Sequence, residues 1–311
     1  MAQTTNLFSR VRSNKITTVW IFLLFIGLFS ALGLLLGFIW GNVLLGVLVS
    51  LFAAGLYALI VLPSAGDMVL SMTKAKPADK KSHPLLYNVT EGVAIAAGIP
   101  MPKLYVIEDT ARNAFATGTK PENGIVCVTT GLLAALDRRE LEGVIAHEVA
   151  HIRNRDIMVM LYAAVLVGAI MLLSDFLLRS FLWGGKGSGD NDNGGAMVLV
   201  AIVVGLILAI LAPIIAELIR LAVSRRREYL ADADAIVITR NPTGLRKALE
   251  KIAADPDPLV DTANKATSHL FISTPFRSKK KTSGKPGMWA RLFSTHPPIE
   301  ERIEILKQMG G

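Results

Sequence analysis

Cysteine is nearly absent. The 311-residue chain has one, Cys127, so no internal disulfide can form and no cysteine zinc cluster can be built. Cys127 lies in the apolar run from Gly124 to Val128, where a small buried hydrophobe is its expected role. Charge is sparse as well. Charged residues make up 19% of the chain against 52% hydrophobic, less charge than a soluble globular protein carries, so much of the surface must avoid water. Aromatics are 7% and no basic–aromatic platform occurs, which argues against a nucleic-acid partner despite a net charge of +8. In so apolar a chain that excess marks loops held against anionic lipid. No internal repeat is present.

The longest absence is of charge itself. From Ile16 to Gly66 there is no charged side chain, and the first to appear is Asp67. A membrane span needs roughly 20 apolar residues, so this run predicts two helices, Ile16 to Trp40 and Val43 to Leu62, joined by a tight turn at Gly41-Asn42. A cleaved signal peptide fails on length and on the lack of a small-residue cleavage site. A third apolar run covers Ile157 to Leu173 and a fourth Ala196 to Ala216. The fourth contains Pro213, which a membrane helix tolerates when the freed carbonyl finds a partner. Buried core helices or a shallow re-entrant pair are the alternative for these two runs.

Basic residues set the orientation. Arg10, Arg12 and Lys15 precede the first run, and Lys74, Lys76, Lys80 and Lys81 follow the second. Arg153 and Arg155 precede the third, and Arg225, Arg226 and Arg227 follow the fourth. Between the third and fourth only Arg179 and Lys186 occur. The expected fold is a mainly α membrane protein of four apolar helices with a cytoplasmic α+β domain containing a small β-sheet. Residues 1–15 form a cytoplasmic arm and 16–62 a transmembrane hairpin. Residues 63–156 are the first part of the cytoplasmic domain, 157–216 a second hairpin with its outward loop at 174–195, and 217–311 the second part. Neither cytoplasmic segment is large enough for a generous core, so the two are expected to pack together.

In the first segment, Leu85, Leu86, Val89, Val93 and Ala97 recur at helical spacing between Pro84 and Gly98. Short strands are predicted at Lys103–Ile107, Ala114–Thr117 and Ile125–Thr129, with Pro121-Glu122-Asn123-Gly124 as a hairpin turn using the left-handed conformation Asn-Gly accepts. Helical patterning resumes through Leu141, Val144, Ile145 and Val149. The second segment predicts helices near Pro242–Ala254 and after Pro297-Pro298, with a basic loop at Lys279–Gly287.

Chemistry concentrates at His147, Glu148 and His151. In H-E-x-x-H on a helix the two histidines share one face and can bind one cation, while the glutamate beside them can reach a water. Two of only five histidines on one helical face are hard to ascribe to core packing. Imidazoles plus a carboxylate, with no cysteine cluster, suit zinc. A catalytic site keeps three protein ligands, and the strongest third candidate is Glu228, in Arg225-Arg226-Arg227-Glu228-Tyr229-Leu230-Ala231-Asp232. Asp232, four residues on, could accept a ligand histidine's other N–H. Solvated Glu–Arg pairs on a juxtamembrane helix are the blander reading of that segment.

Four pieces carry a family resemblance: Asn113-Ala114-Phe115-Ala116-Thr117-Gly118, His147 to His151, Arg227-Glu228-Tyr229-Leu230-Ala231-Asp232 and Thr295-His296-Pro297-Pro298. In this order and among four apolar runs, the chain resembles the HtpX-type membrane-bound zinc metalloproteases, relatives of the CAAX prenyl proteases, over nearly its whole length. The resemblance implies a zincin-like metallopeptidase domain with one Zn2+ per chain, held by His147, His151 and Glu228 and supported by Asp232. It implies that Asn113, Ala114, Phe115 and Ala116 form an edge strand to which an extended substrate adds, and that His296 acts near the substrate or the reacting carbonyl. It further implies protein substrates, membrane or misfolded, and quality control in the bacterial cytoplasmic membrane beside an ATP-dependent membrane protease. Without the family, Asn113–Ala116 is a short strand and His296 a polar cap on the last helix. Arg302 is a weaker candidate for substrate contact.

The mechanism expected is metal-assisted hydrolysis, with Glu148 taking the proton of the attacking water and delivering it to the leaving amine. Two rivals come from other classes. A scaffold with a structural zinc would want four ligands rich in cysteine and would leave Glu148 without purpose. A transporter predicts charged or readily titrating groups inside its spans, and none occurs within the four runs.

Overall fold

A computed structural model of the chain describes residues 7–39, 41–184, 225–255, 257, 270–273 and 297–310. Two antiparallel helices come first, α1 (Leu7–Ile39) and α2 (Val43–Met72). The chain reverses at Gly41, whose φ of +75° costs glycine nothing, and Asn42 caps α2 by accepting the Leu45 N–H at 3.0 Å. The two backbones then touch: a Cβ on Gly46 would lie 2.5 Å from the Gly37 backbone and one on Gly37 2.7 Å from Val43 Cα. Membrane helices approach one another across small residues in this way. Trp20, Phe38, Leu44, Phe52 and Leu59 face outward at 61% to 77% exposure, an apolar surface far larger than a water-soluble protein leaves bare. Ser9–Leu34 and Val43–Val61 are each long and apolar enough to cross a membrane.

Both helices outrun their apolar segments. The first begins at Leu7, within the expected arm, and the second passes Pro63 to reach Met72. The third apolar run belongs to a helix, Asp156–Gly184, that occupies the first part of the loop expected at 174–195. Its early turns are sunk in protein, with Ile157, Leu161 and Ala163 fully buried. Tyr57 of α2 donates to the Val165 carbonyl at 3.0 Å, and Phe22 of α1 meets Tyr162 edge-on at 5.3 Å. Among the described residues, two helices are long and apolar enough to cross. The fourth run, Ala196 to Ala216, lies outside the described residues.

The remaining elements are β1 (Lys76–Pro77), α3 (Pro84–Ala97), β2 (Lys103–Ile107), β3 (Ala114–Thr117), β4 (Ile125–Thr129), α4 (Thr130–Ala135) and α5 (Arg138–Arg153). After α6, the helix Asp156–Gly184, come α7 (Arg225–Thr239), α8 (Pro242–Ala253) and α9 (Ile299–Gln308). The strands form one mixed sheet in the order β1-β2-β4-β3. Strands β2 and β4 are parallel with Lys103 opposite Ile125, and β3 is antiparallel to β4 with Ala114 opposite Val128. Sequence patterning missed β1 because it is two exposed residues long, and Pro77, with no N–H to give, is tolerated only at such an edge. The link from β3 to β4 also differs from the Asn-Gly hairpin expected. Pro121–Asn123 is a 3-10 turn, Gly124 is extended at φ −61°, and the positive φ, +130°, falls on Gly118. Asn123 instead accepts the Thr119 and Lys120 N–H groups through its side chain, using asparagine's capacity for local backbone bonds rather than its left-handed one.

Because β4 is buried on both faces, its side chains are apolar throughout Ile125 to Val128. Val126 and Val128 join Val93, Val144, Val149, Leu249 and Leu306 in a core shared by α3, α5, α8 and α9. Cys127 points the other way, toward Phe115, Phe271 and the feet of α2 and α6 at Val69 and Leu161. The sheet is therefore clamped between the helical domain on one face and the base of the apolar helices on the other. Burial pushes the Cys127 thiol well above its ordinary range, which fits a packing role.

Candidate metal centre

Helix α5 starts on a capping box. Asp137 accepts the Arg139 and Glu140 N–H groups at 2.8 and 2.9 Å, and Glu140 accepts the Asp137 N–H at 2.8 Å. Lys251 of α8 adds an ion pair to Glu140 at 2.6 Å. Helix α8 crosses at Gly143, where a Cβ would sit 2.5 Å from the Leu245 nitrogen; a larger residue would push the helices apart. Held in this way, α5 presents His147, Glu148 and His151 to a buried interior. Helix α7 supplies Glu228 and Asp232, and α9 supplies Arg302, all buried.

His147 Nε2 and His151 Nε2 lie 3.2 Å apart. Glu228 approaches them with Oε2 3.7 Å from the first and Oε1 3.5 Å from the second. One ligand atom from each of the three residues falls within 4.8 Å of the others. Each ring's other nitrogen is taken by a carboxylate: His147 Nδ1 meets Asp232 Oδ1 at 2.9 Å, and His151 Nδ1 meets Asp156 Oδ2 at 2.9 Å. Those partners favour a proton on each Nδ1, which turns two Nε2 lone pairs and a carboxylate toward one point. Three acceptors so close repel one another unless a proton or a cation lies between them. Nitrogen and oxygen donors in this set suit a zinc-type ion.

Electrostatics agree. Burial and the Arg302 guanidinium push the His147 imidazolium down, yet the bonds to Asp232 and Glu228 win and raise its pKa to about 9. His151 is likewise raised, with Asp156 and Glu228 outweighing burial. The pocket thus favours positive charge where the two rings meet. Glu148 is raised above the usual carboxylate range because burial exceeds the pull of the two histidines. A carboxyl displaced toward neutrality can both take and return a proton. Burial pushes Asp232 up, but the Arg302 guanidinium and His147 more than offset it and hold its carboxyl low.

The structure brings His147, Glu148, His151, Glu228 and Asp232 together from two helices. One participant escaped the sequence reading, and another stands in a different place from the one expected. Asp156, partner of His151, is five residues on and across a helix boundary, where Arg155 takes a left-handed φ of +61°. Its signal was the rule already applied to Asp232, that a ligand histidine's second nitrogen wants an acid. Arg302, expected at most to contact substrate, is 1% exposed, donates to both Asp232 oxygens at 2.9 and 2.7 Å and lies 3.3 Å from the His147 ring.

Asn113, Ala114, Phe115 and Ala116 lie at the sheet's edge, all buried. The chain covers that edge itself. Ile272 N–H donates to the Ala114 carbonyl at 2.8 Å, and the Asn113 side chain donates to the Ser273 carbonyl at 2.9 Å while accepting its N–H at 3.3 Å. The Phe115 and Phe271 rings meet edge-on at 5.0 Å. Arg302 reaches the same segment through the Ile272 carbonyl at 3.2 Å. His296 lies outside the described residues.

The chain is similar to one peptidase family and to three known proteins. Residues 80–310 match the sequence pattern of peptidase family M48. A Protease HtpX homolog of Listeria monocytogenes serotype 4a is 45% identical over 97% of this chain and 100% of its own. Another, from Thermoanaerobacter pseudethanolicus, is 46% identical over 88% of this chain and 87% of its own. The crystal structure of S. mikatae Ste24p overlaps 97% of this chain and 67% of its own, with 19% identity and a TM-score of 0.48.

Proposed function

The chain belongs to peptidase family M48, a membrane-associated metallopeptidase acting on proteins, and on that premise we propose that it is an integral membrane zinc endopeptidase. It hydrolyses peptide bonds of membrane or misfolded proteins at the cytoplasmic face. The observation that carries this reading is the meeting of His147, His151 and Glu228 in one buried cluster with Glu148 beside them.

His147, His151 and Glu228 would hold the ion. Zinc, when bound, supplies a Lewis acid that polarises a water and the scissile carbonyl. Glu148 takes the proton of the attacking water and delivers it to the departing amine, a shuttle served by its raised pKa. Asp232 fixes the His147 ring, and Arg302 fixes Asp232. His296 serves at the substrate, as the family likeness suggests. An extended substrate pairs with Asn113–Ala116 once Leu270–Ser273, which holds that edge, gives way.

In this reading residues 63–156 and 217–311 make one cytoplasmic domain, between hairpins at 16–62 and 157–216 and behind the arm at 1–15. The flanking basic residues support that orientation. Likeness to the HtpX proteins supports a place in the bacterial inner membrane and in protein quality control beside an ATP-dependent membrane protease. The deciding experiment is metal content and casein cleavage on detergent-purified protein, wild type beside Glu148→Gln. One zinc in each and cleavage only by the wild type is expected. Equal zinc with no cleavage by either, across unfolded and membrane substrates, would make it a scaffold.

A further inference from the structure

Helix α1 enters the metal centre through one amide. Asn14, just before the apolar run that begins at Ile16, is 8% exposed. Its Nδ2 donates to Asp156 Oδ1 at 2.6 Å and to the Asn154 carbonyl at 2.9 Å. The other oxygen of Asp156 is the one 2.9 Å from His151 Nδ1. One carboxylate is thus gripped at both oxygens, by α1 on one side and by the imidazole on the other. A second tie closes a ring of polar contacts. Arg10 Nη1 pairs with Asp234 Oδ2 at 2.7 Å, and Asn154 Nδ2 donates to the same oxygen at 2.7 Å. Asn154 is also the residue that ends α5. Four helices meet in this joint: α1, the end of α5, the start of α6, and α7, which carries Glu228.

We infer that Asn14 is a positioning residue of the metal centre: α1 orients Asp156, and through it the His151 ring. The inference rests on the reading that His147, His151 and Glu228 hold a metal. The residue type matters. A neutral amide donates a hydrogen bond to Asp156 without adding charge, so the carboxylate keeps its strength as an acceptor for His151. A cation here would compete with the imidazole for Asp156, which already feels the half-buried Arg227 guanidinium. An apolar side chain would leave Asp156 Oδ1 without this donor in a dry site, and the carboxylate could rotate. The membrane helix then does more than anchor: the Asn14 amide that it carries governs how firmly His151 faces the ion.

The test uses Co2+ as probe, loaded into detergent-purified full-length protein, with its visible absorption and its loss to chelator as readouts. Asn14→Leu should release Co2+ about tenfold faster, the lower end of what disturbing a ligand's outer support costs, and should shift the visible bands. Arg10→Ala, which loosens α1 from α7 without touching Asp156, should leave the bands in place. In an Asp156→Ala background, Asn14→Leu should have no further effect, because the two act in series. If Asn14→Leu does not fold, Asn14→Ser, too short to reach Asp156, takes its place. Wild-type release and wild-type bands in the Asn14 variant, or additive effects in the double variant, would overturn the inference while leaving the metal reading intact. A wild-type protein that binds no Co2+, or a His151→Ala variant that binds it unchanged, would overturn both.

Discussion

His147 and His151 sit one turn apart on α5 yet are braced by opposite ends of the chain. Behind His147 is a charged brace: Asp232 of α7, itself held by both sides of the Arg302 fork from α9. Behind His151 is Asp156, steadied by the neutral amide of Asn14 from α1. The first brace is an ion pair buried to within 2% of complete exclusion from water. Such a pair costs a large desolvation and is viable only while both partners are present. The second puts one carboxylate between an imidazole and an amide, and the Arg227 guanidinium that feels it also feels Glu228, so its loss leaves that cation with a counter-charge. The charged brace is thus bound up with the fold, whereas the neutral one can fail while the protein stays folded. The comparison is broken or sharpened by cutting each brace in turn.

Cutting the charged brace should have the largest effect. Arg302→Ala leaves Asp232 as an uncompensated buried charge beside Glu228, and breaking such a pair typically costs about 3–5 kcal/mol. Thermal unfolding in detergent should show a large drop in Tm, with much of it restored when Asp232→Leu is added. An Arg302→Ala protein that melts with the wild type would mean that the two braces do not differ as described.

The neutral brace should fail more quietly. Asp156→Asn keeps the shape but weakens the acceptor for His151, and a change of this kind lowers metal affinity by about 10–100-fold. Zinc competition against a chromophoric chelator reads that loss directly, and the metal-free Tm should move far less than in Arg302→Ala. A collapse of metal-free stability as large as that of the charged brace would erase the distinction.

How much of this could be read in the sequence follows from range. Histidines at i and i+4, and Glu228 and Asp232 at i and i+4, share faces by helical geometry alone, so each pair was visible one helix at a time. Strands β2, β3 and β4, of four or five residues, and helices α3 and α5 were likewise visible in local patterns. The left-handed Arg155 hid Asp156, because nothing in a local pattern says that the chain will fold the fifth residue back beneath a histidine. Arg302 and Asn14 reach the site across 155 and 142 residues of chain, to His147 and Asp156, and no periodicity reports on such contacts. The sequence left open whether Ile157, Leu161 and Ala163 would be buried, since a span and a core helix have the same composition.

The smallest effect tests α5 itself, apart from either brace. Asp137 caps the helix from a nearly exposed position, and its carboxyl is held below the usual range, chiefly by the Glu140 N–H, with the Arg139 N–H adding to it. Asp137→Ala should cost about 1 kcal/mol, the usual worth of an N-cap, and should leave zinc affinity unchanged because both histidines lie two turns and more away. A depressed carboxyl contributes stability that is fully present above its unfolded pKa and is lost as pH falls through its lower folded value. The wild type should therefore lose this increment on acidification, below the ordinary carboxylate range. Asp137→Asn, which caps without a charge, should keep most of the increment at neutral pH and lose none of it with acid. Comparing the acid limbs of the two melting curves isolates the cap, since the rest of the titration is shared. If Asp137→Ala instead loosened the metal as Asp156→Asn is expected to, the histidines would depend on the whole length of α5, and the braces would be secondary to it.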